Sequence, residues 1–198
     1  MPTESFDPTA DLPFERRVAQ PDMAALYLYW RRLARAGAPA FRDFDPIAMP
    51  RLLPDLQITR RDADGRHRIG LTGGRVAALA GRDSTGLYLD ERIPPALYPS
   101  RAALYDEALD AARPIAYRSY LILDGREHHF HKRLLLPFVD AGPGPDLILA
   151  MALTASVPAE GAAAAAADGI VEILRGNPVG WTAAGGPSGG LARNAPIQ

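Results

Sequence analysis

The sequence predicts an α+β fold: a five-stranded antiparallel sheet with helices packed on one face, preceded by an amphipathic N-terminal helix. Three observations predict it. Five segments alternate apolar and polar residues, or run apolar, over strand length. Turn clusters of hairpin type fall between the first and second, third and fourth, and fourth and fifth of these. Between the second and third lies a helical excursion that must carry the chain across the sheet.

Residues 1–21 mix Pro, Asp, Glu and Thr without periodicity and are expected to form a flexible arm, with Asp22 placed to cap a helix. From Met23 to Ala36 the apolar residues Met23, Leu26, Tyr27, Trp30, Leu33 and Ala34 recur at three and four, so one face is buried. Tyr27, Trp30 and Leu33 on that face cover either the chain's own domain or a dimer or partner seam. Arg31, Arg32 and Arg35 complement the helix dipole before Gly37 and Pro39 stop the helix.

Asp45-Pro46 and Met49-Pro50 leave little room for regular helix. Residues 54–60 and 66–72 read as strands joined by the turn Asp62-Ala-Asp-Gly65, with His67, Ile69 and Leu71 on one face of the second. A short helix over 75–79 follows Gly73-Gly74. Ser100 is expected to cap a helix ending near Ala112, with Leu104, Tyr105, Ala108, Leu109 and Ala112 inward. Strands follow over 115–123, 128–139 and 147–155, completing a domain over 22–156. In the tail, 157–198, Ala162–Ala167 favours helix that Ile170, Val171, Ile173 and Leu174 could continue. The Gly- and Pro-rich remainder is expected to be disordered.

Composition narrows the function. With 198 residues, 47% apolar, the chain can bury a core without disulfides. A net charge of -1 offers no field to hold a phosphate backbone, so no nucleic-acid partner is expected. Only Lys132 among the 22 basic residues is a lysine, and the arginines are spread through every segment. The absence of cysteine excludes disulfides, thiolate metal sites and thiol-linked chromophores. The longest apolar run, 147–153, is far short of a membrane span, and residues 1–17 have neither the basic start nor the apolar core that a secretory leader needs, so a cytoplasmic location is expected without membrane insertion.

Several motifs in order carry a resemblance: LYLYWRRL (26–33), RDFDPIAMPRLLPDL (42–56), RIGLTGGRVAALAGRDSTGLYLDE (68–91), ARPIAY (112–117) and KRLLLPF (132–138). They resemble the bacterial single-domain PAS-like proteins, common in alphaproteobacteria and largely uncharacterised, over roughly residues 26–154. The resemblance implies a PAS fold and no particular activity. The chain departs from that family's usual pattern at His67, Gly70 and His131, which makes one side of a pocket more polar and the other less cationic.

GRDSTG (81–86) lacks the Lys that a P-loop needs and does not follow a parallel strand, so it reads as a glycine turn. In Glu127-His-His-Phe-His131, His129 and His131 share a strand face and are weak metal candidates; zinc needs more ligands than they supply. The long helix, 100–112, has no histidine, which makes haem at the usual PAS position an unfavoured cofactor. Tyr117, Tyr120 and Asp124 would permit an acid/base site, as in small cone-fold enzymes, but no nucleophile motif accompanies them, and no enzymatic activity is expected.

The resulting expectation is a stand-alone sensory or regulatory module that acts in trans through a signalling partner. It would bind a small ligand of unknown identity among His67, Ile69, Tyr105, Tyr117 and His131, and Tyr27, Trp30 and Leu33 could form a homodimer or partner surface. The competing expectation is a constitutive interaction module with a filled core.

Overall fold

The computed structural model describes residues 13–35, 37–123, 127–157, 170–179, 181–182 and 186–187. Its main sheet has six strands, all antiparallel, in the order β2-β1-β5-β4-β3-β6. The strands are β1 (Leu56–Arg61), β2 (His67–Thr72), β3 (Ile115–Leu123), β4 (Glu127–Phe138), β5 (Leu147–Val157) and β6 (Ile170–Arg175). The first five lie within two residues of the expected segments at either end. The sixth corrects the expectation of five.

Residues 170–175 do not continue a helix. Ile and Val favour strands, and β3 offers an edge to which Arg175, Leu174 and Ile173 pair opposite Ile115, Ala116 and Tyr117. Long-range pairing therefore overrides local helix preference here. A two-residue ladder, β7 (Trp181–Thr182) with β8 (Gly186–Pro187), lies in the stretch expected to be disordered. The Ala162–Ala167 helix expectation and the Asp124-Gly125 turn lie outside the described residues.

Helices cover both faces of the sheet, which corrects the expectation of one. On one face, α1 (Phe14–Val18) and α2 (Pro21–Leu33) bury Phe14, Val18, Met23, Leu26, Tyr27 and Trp30 against Ala116, Leu134, Leu136, Phe138, Leu147, Leu149, Met151 and Leu174. On the other, α4 (Tyr98–Asp110) and the turn at 89–91 bury Leu89, Leu104, Tyr105, Ala108 and Leu109 against Ile69, Ile115, Leu135, Ile148 and Ala150. Neighbours along β4 and β5 divide between the two cores, as a pleated strand requires. α1 lies inside the stretch expected to be a flexible arm. Its Phe14 packs on Tyr27 with ring centroids 4.8 Å apart.

The starts of the two long helices differ from expectation by two and three residues. α2 begins at Pro21, so Asp22 sits in its first turn rather than capping it. α4 begins at Tyr98, and the Ser100 hydroxyl donates back to the Leu97 carbonyl at 3.1 Å. The prolines of 46–54 confine that lead-in to short 3₁₀ turns at 46–48 and 50–55. Pro137 is tolerated inside β4 because it lies beyond the last rung with β3, Ile115 opposite Leu135.

Gly65 takes a positive φ of 83° in the β1–β2 turn, as expected. At Gly73 the requirement is closeness, not φ: its φ is -65°, and a Cβ there would lie 2.4 Å from the Pro54 carbonyl oxygen and 2.6 Å from that of Leu53. Gly73→Ala, preceding α3 (Gly74–Leu79), should therefore cost about 1–3 kcal/mol in urea denaturation. Gly74→Ala, where a Cβ meets nothing within 4 Å, should be nearly neutral; equal effects at both positions would contradict the close-approach account.

Candidate functional site

The α4 face of the sheet is not wholly apolar. Register brings its polar members together: Tyr117 stands opposite Arg133 and Ser119 opposite His131 across β3–β4. Gln57 and Thr59 of β1 stand opposite Ala150 and Ile148 of β5, and Thr59 stands opposite Ile69 of β2. From above, α4 presents Arg101, Leu104, Tyr105, Ala108 and Leu109. The polar members of this layer are all buried: Thr59 and Ser119 are 0% exposed, His67 1%, Arg101 3%, Gln57 4%, His131 7% and Arg133 9%.

All five residues expected to line a pocket fall in this layer. His67 and Ile69 lie on β2, Tyr105 on α4, Tyr117 on β3 and His131 on β4. The His67 and Tyr105 rings are 5.4 Å apart, and those of Tyr117 and His131 are 6.5 Å apart. Ile69 belongs to the surrounding apolar cluster with Leu104, Leu135 and Ile148.

The partner surface is placed differently. Tyr27 and Trp30 are spent on the chain's own core, and the Trp30 indole N–H donates to the Pro137 carbonyl at 2.9 Å. Leu33 is half-buried against the same cluster. Periodicity identified a buried face; the sheet, not a second chain, covers it. Of the weak metal candidates, His129 lies outside the residues whose side chains are described. His131 instead shares a hydrogen bond with Thr154, Nδ1 to Oγ1 at 3.2 Å. Among the described residues no three His, Cys, Asp or Glu side chains gather as metal ligands. Of the acid/base set, Tyr117 lies in the layer, while the side chains of Tyr120 and Asp124 are outside the described residues.

Two arginines escaped the sequence reading. Arg101 lies three, four, seven and eight residues before Leu104, Tyr105, Ala108 and Leu109, so it shares their helix face. Arg133 lies two residues from both His131 and Leu135, so it shares their strand face. The spacing alone places both on buried faces, but an arginine on such a face usually reads as a solvated residue at an element's end.

Electrostatics follow burial. The His131 pKa falls to about 3, chiefly through desolvation and then through the charges of Arg133 and Arg101. Desolvation also lowers that of His67, against the pull of Asp106, whose Oδ1 lies 3.0 Å from Nε2. Burial raises the Tyr105 hydroxyl well above the ordinary tyrosine range. Arg101 is lowered by desolvation and by Arg133, while Tyr117 and Tyr105 oppose the fall. Desolvation also pulls Arg133 down, but the nearby Tyr105 and Tyr117 hydroxyls outweigh it and hold the guanidinium charged. The Tyr105 hydroxyl nevertheless lacks a partner in hydrogen-bond geometry.

Outside the layer, Arg66 pairs with both Asp90 oxygens at 2.9 and 2.8 Å and lies 3.6 Å over the Tyr88 ring. The Ile69 amide donates to the Leu87 carbonyl, and the Gly86 amide to that of Ile69, at 2.8 and 2.7 Å. These contacts close the 81–91 loop over the β2 edge, with Gly81 and Gly86 in the positive-φ turn conformations expected of GRDSTG. A groove beside α1 and α2 is lined by Val18, Met23, Lys132, Glu172 and Leu174, and it also touches Tyr117 and Arg133 of the β3–β4 pair.

The architecture is thus an antiparallel sheet with one long helix lying over a buried polar layer. A family profile for the PAS domain matches residues 18–151, and the chain belongs to the PAS domain family. PAS domains are generally signalling modules rather than enzymes. Comparison with curated proteins and with solved structures gives no match in either set. Among the described residues no helix is long and apolar enough to cross a membrane.

Proposed function

We propose that the chain is a sensory module that takes a small molecule between α4 and the sheet and acts, when occupied, on a signalling partner. The observation that carries this reading is a set of buried polar atoms without hydrogen-bond partners. Thr59 Oγ1, His67 Nδ1, Arg101 Nη2, Tyr105 OH, Ser119 Oγ and Arg133 Nε all belong to this layer. A buried polar group left unpaired costs about 1–3 kcal/mol, and folded proteins retain few of them. Gathered within one apolar frame, they suit a molecule that supplies the missing partners.

The same burial supplies a route for signal. A ligand reaching these atoms must displace the α4 side chains that cover them, since Arg101 and Tyr105 are 3% and 0% exposed. Occupancy therefore favours a different seating of α4, and a partner that reads its outer surface responds to the shift.

Native mass spectrometry of untagged full chain, set against its denatured mass, tests the reading. The expected result is extra mass lost on denaturation. Identical masses from gently purified protein would favour the constitutive interaction module instead, and the charge-state series would show in the same spectrum whether the chain is a dimer.

A further inference from the structure

We infer that the ligand of this layer is a small organic oxyanion whose carboxylate or phosphate head is received between Arg101 of α4 and Arg133 of β4. The inference rests on the reading that the layer takes a ligand, and it specifies the chemistry. Its basis is a misplaced charge balance. Among the described residues, carboxylates pair with arginines nearer the surface: Arg60 with Asp140, Arg61 with Asp106 and Asp110, Arg66 with Asp90, Arg68 with Asp62 and Arg75 with Asp55. The two most deeply placed guanidiniums have none. Arg101 Nη1 donates to the Leu97 carbonyl, at 3.4 Å, and Arg133 Nη2 to Gln57 Oε1, neither of them a carboxylate.

Burying one guanidinium without a counter-charge is costly, and each of these also feels the repulsion of the other. Water can satisfy an orphaned hydroxyl, but it cannot neutralise two buried cations. The carboxylate that reaches the layer's margin, Asp106, is engaged by His67 and Arg61. His131 is held neutral and adds no charge. An oxyanion supplies what is missing: two arginine forks suit carboxylate or phosphate oxygens, and the Tyr105, Ser119 and Thr59 hydroxyls can donate to it as well. Ile69, Leu104, Leu135 and Ile148 surround the polar groups and suit a compact apolar body.

The test is thermal unfolding of the full chain at constant ionic strength, with sodium benzoate against benzamide, sodium succinate against succinamide, and inorganic phosphate, all referred to sodium chloride. An acid or phosphate should raise Tm by roughly 5 °C or more at saturation, with the amides silent. A response to carboxylates assigns a carboxylate head, and one to phosphate alone a phosphoryl head. Equal responses to acid and amide would overturn the oxyanion while leaving a ligand site in place. No response from any probe would overturn the oxyanion as well, and the native-mass comparison then decides separately whether a ligand exists.

Arg101→Leu and Arg133→Leu should each abolish the shift; an undiminished shift in both would place the anion elsewhere and overturn the assignment. Should either variant fail to fold, the arginine Nε–H resonances of the unaltered chain provide the same decision. Those of Arg101 and Arg133 should move on titration with an acid that raises Tm and stay still with its amide. Immobile resonances would refute the site.

Discussion

Trp30→Ala should destabilise the chain by about 3–5 kcal/mol, enough to unfold a domain of ordinary stability. The indole is 1% exposed, lies against Tyr27 with centroids 6.1 Å apart, and donates its N–H to the Pro137 carbonyl at 2.9 Å. Truncation removes a large apolar surface, leaves a cavity between α2 and β4, and strands a buried carbonyl that has no β3 rung beside it. Urea denaturation measures the loss. A docking anchor would behave in the opposite way, with an unchanged unfolding midpoint and weaker self-association by size-exclusion chromatography. That outcome would return Trp30 to the dimer or partner seam, the alternative its helix face also permits.

Acidification should weaken the fold by about 2 kcal/mol between pH 7.5 and pH 5, through His131 alone. Its pKa in the folded chain is about 3, depressed by desolvation and by Arg133 and Arg101, against about 6.5 when unfolded. Between those values the unfolded chain binds a proton that the folded chain refuses. Stability is therefore complete above pH 6.5 and falls as the pH drops through that value toward 3. The groups facing the ring are Thr154 Oγ1 on β5, Tyr117 and Ser119 on β3, Arg133 on its own strand and Arg101 on α4, none of them a carboxylate that could stabilise imidazolium. His67 is depressed in the same direction by desolvation and adds to the slope. Urea midpoints across this range should slope less in His131→Gln than in the unaltered chain; parallel slopes would exclude His131 as the source.

Period-two alternation and turn chemistry located β1 to β5 because those signals are local. His67, Ile69, Tyr117 and His131 on their strands and Tyr105 on the inward face of α4 lie in one buried layer. Periodicity could show that Tyr27 and Trp30 face something apolar, but not that the covering surface is the chain's own β4. For β6, nothing near Ile170 announces that β3 has an edge to offer, and the preceding alanines argue for helix. Arg101 was hidden for a different reason: an arginine near a helix start reads as a solvated residue, and only the absence of a carboxylate across the layer gives its burial meaning. Gly73 showed itself only through the approach of the Leu53 and Pro54 carbonyls, a contact between segments.

β6 also bears on how this chain can be divided. The family match spans 18–151, and β6 lies beyond it. A fragment cut to that span would bare the β3 rim from Ile115 to Ser119, leaving its amides and carbonyls without the partners that Ile170 to Arg175 supply. It would also remove Phe14 and Leu174 from the core beneath α2, and with them the Arg175–Glu107 clasp that ties β6 to α4 at 2.6 and 2.9 Å. An open, partly apolar strand rim is a template for other chains. The extension past the family boundary thus works as a guard against self-templated pairing, and it joins that guard directly to the helix proposed to move.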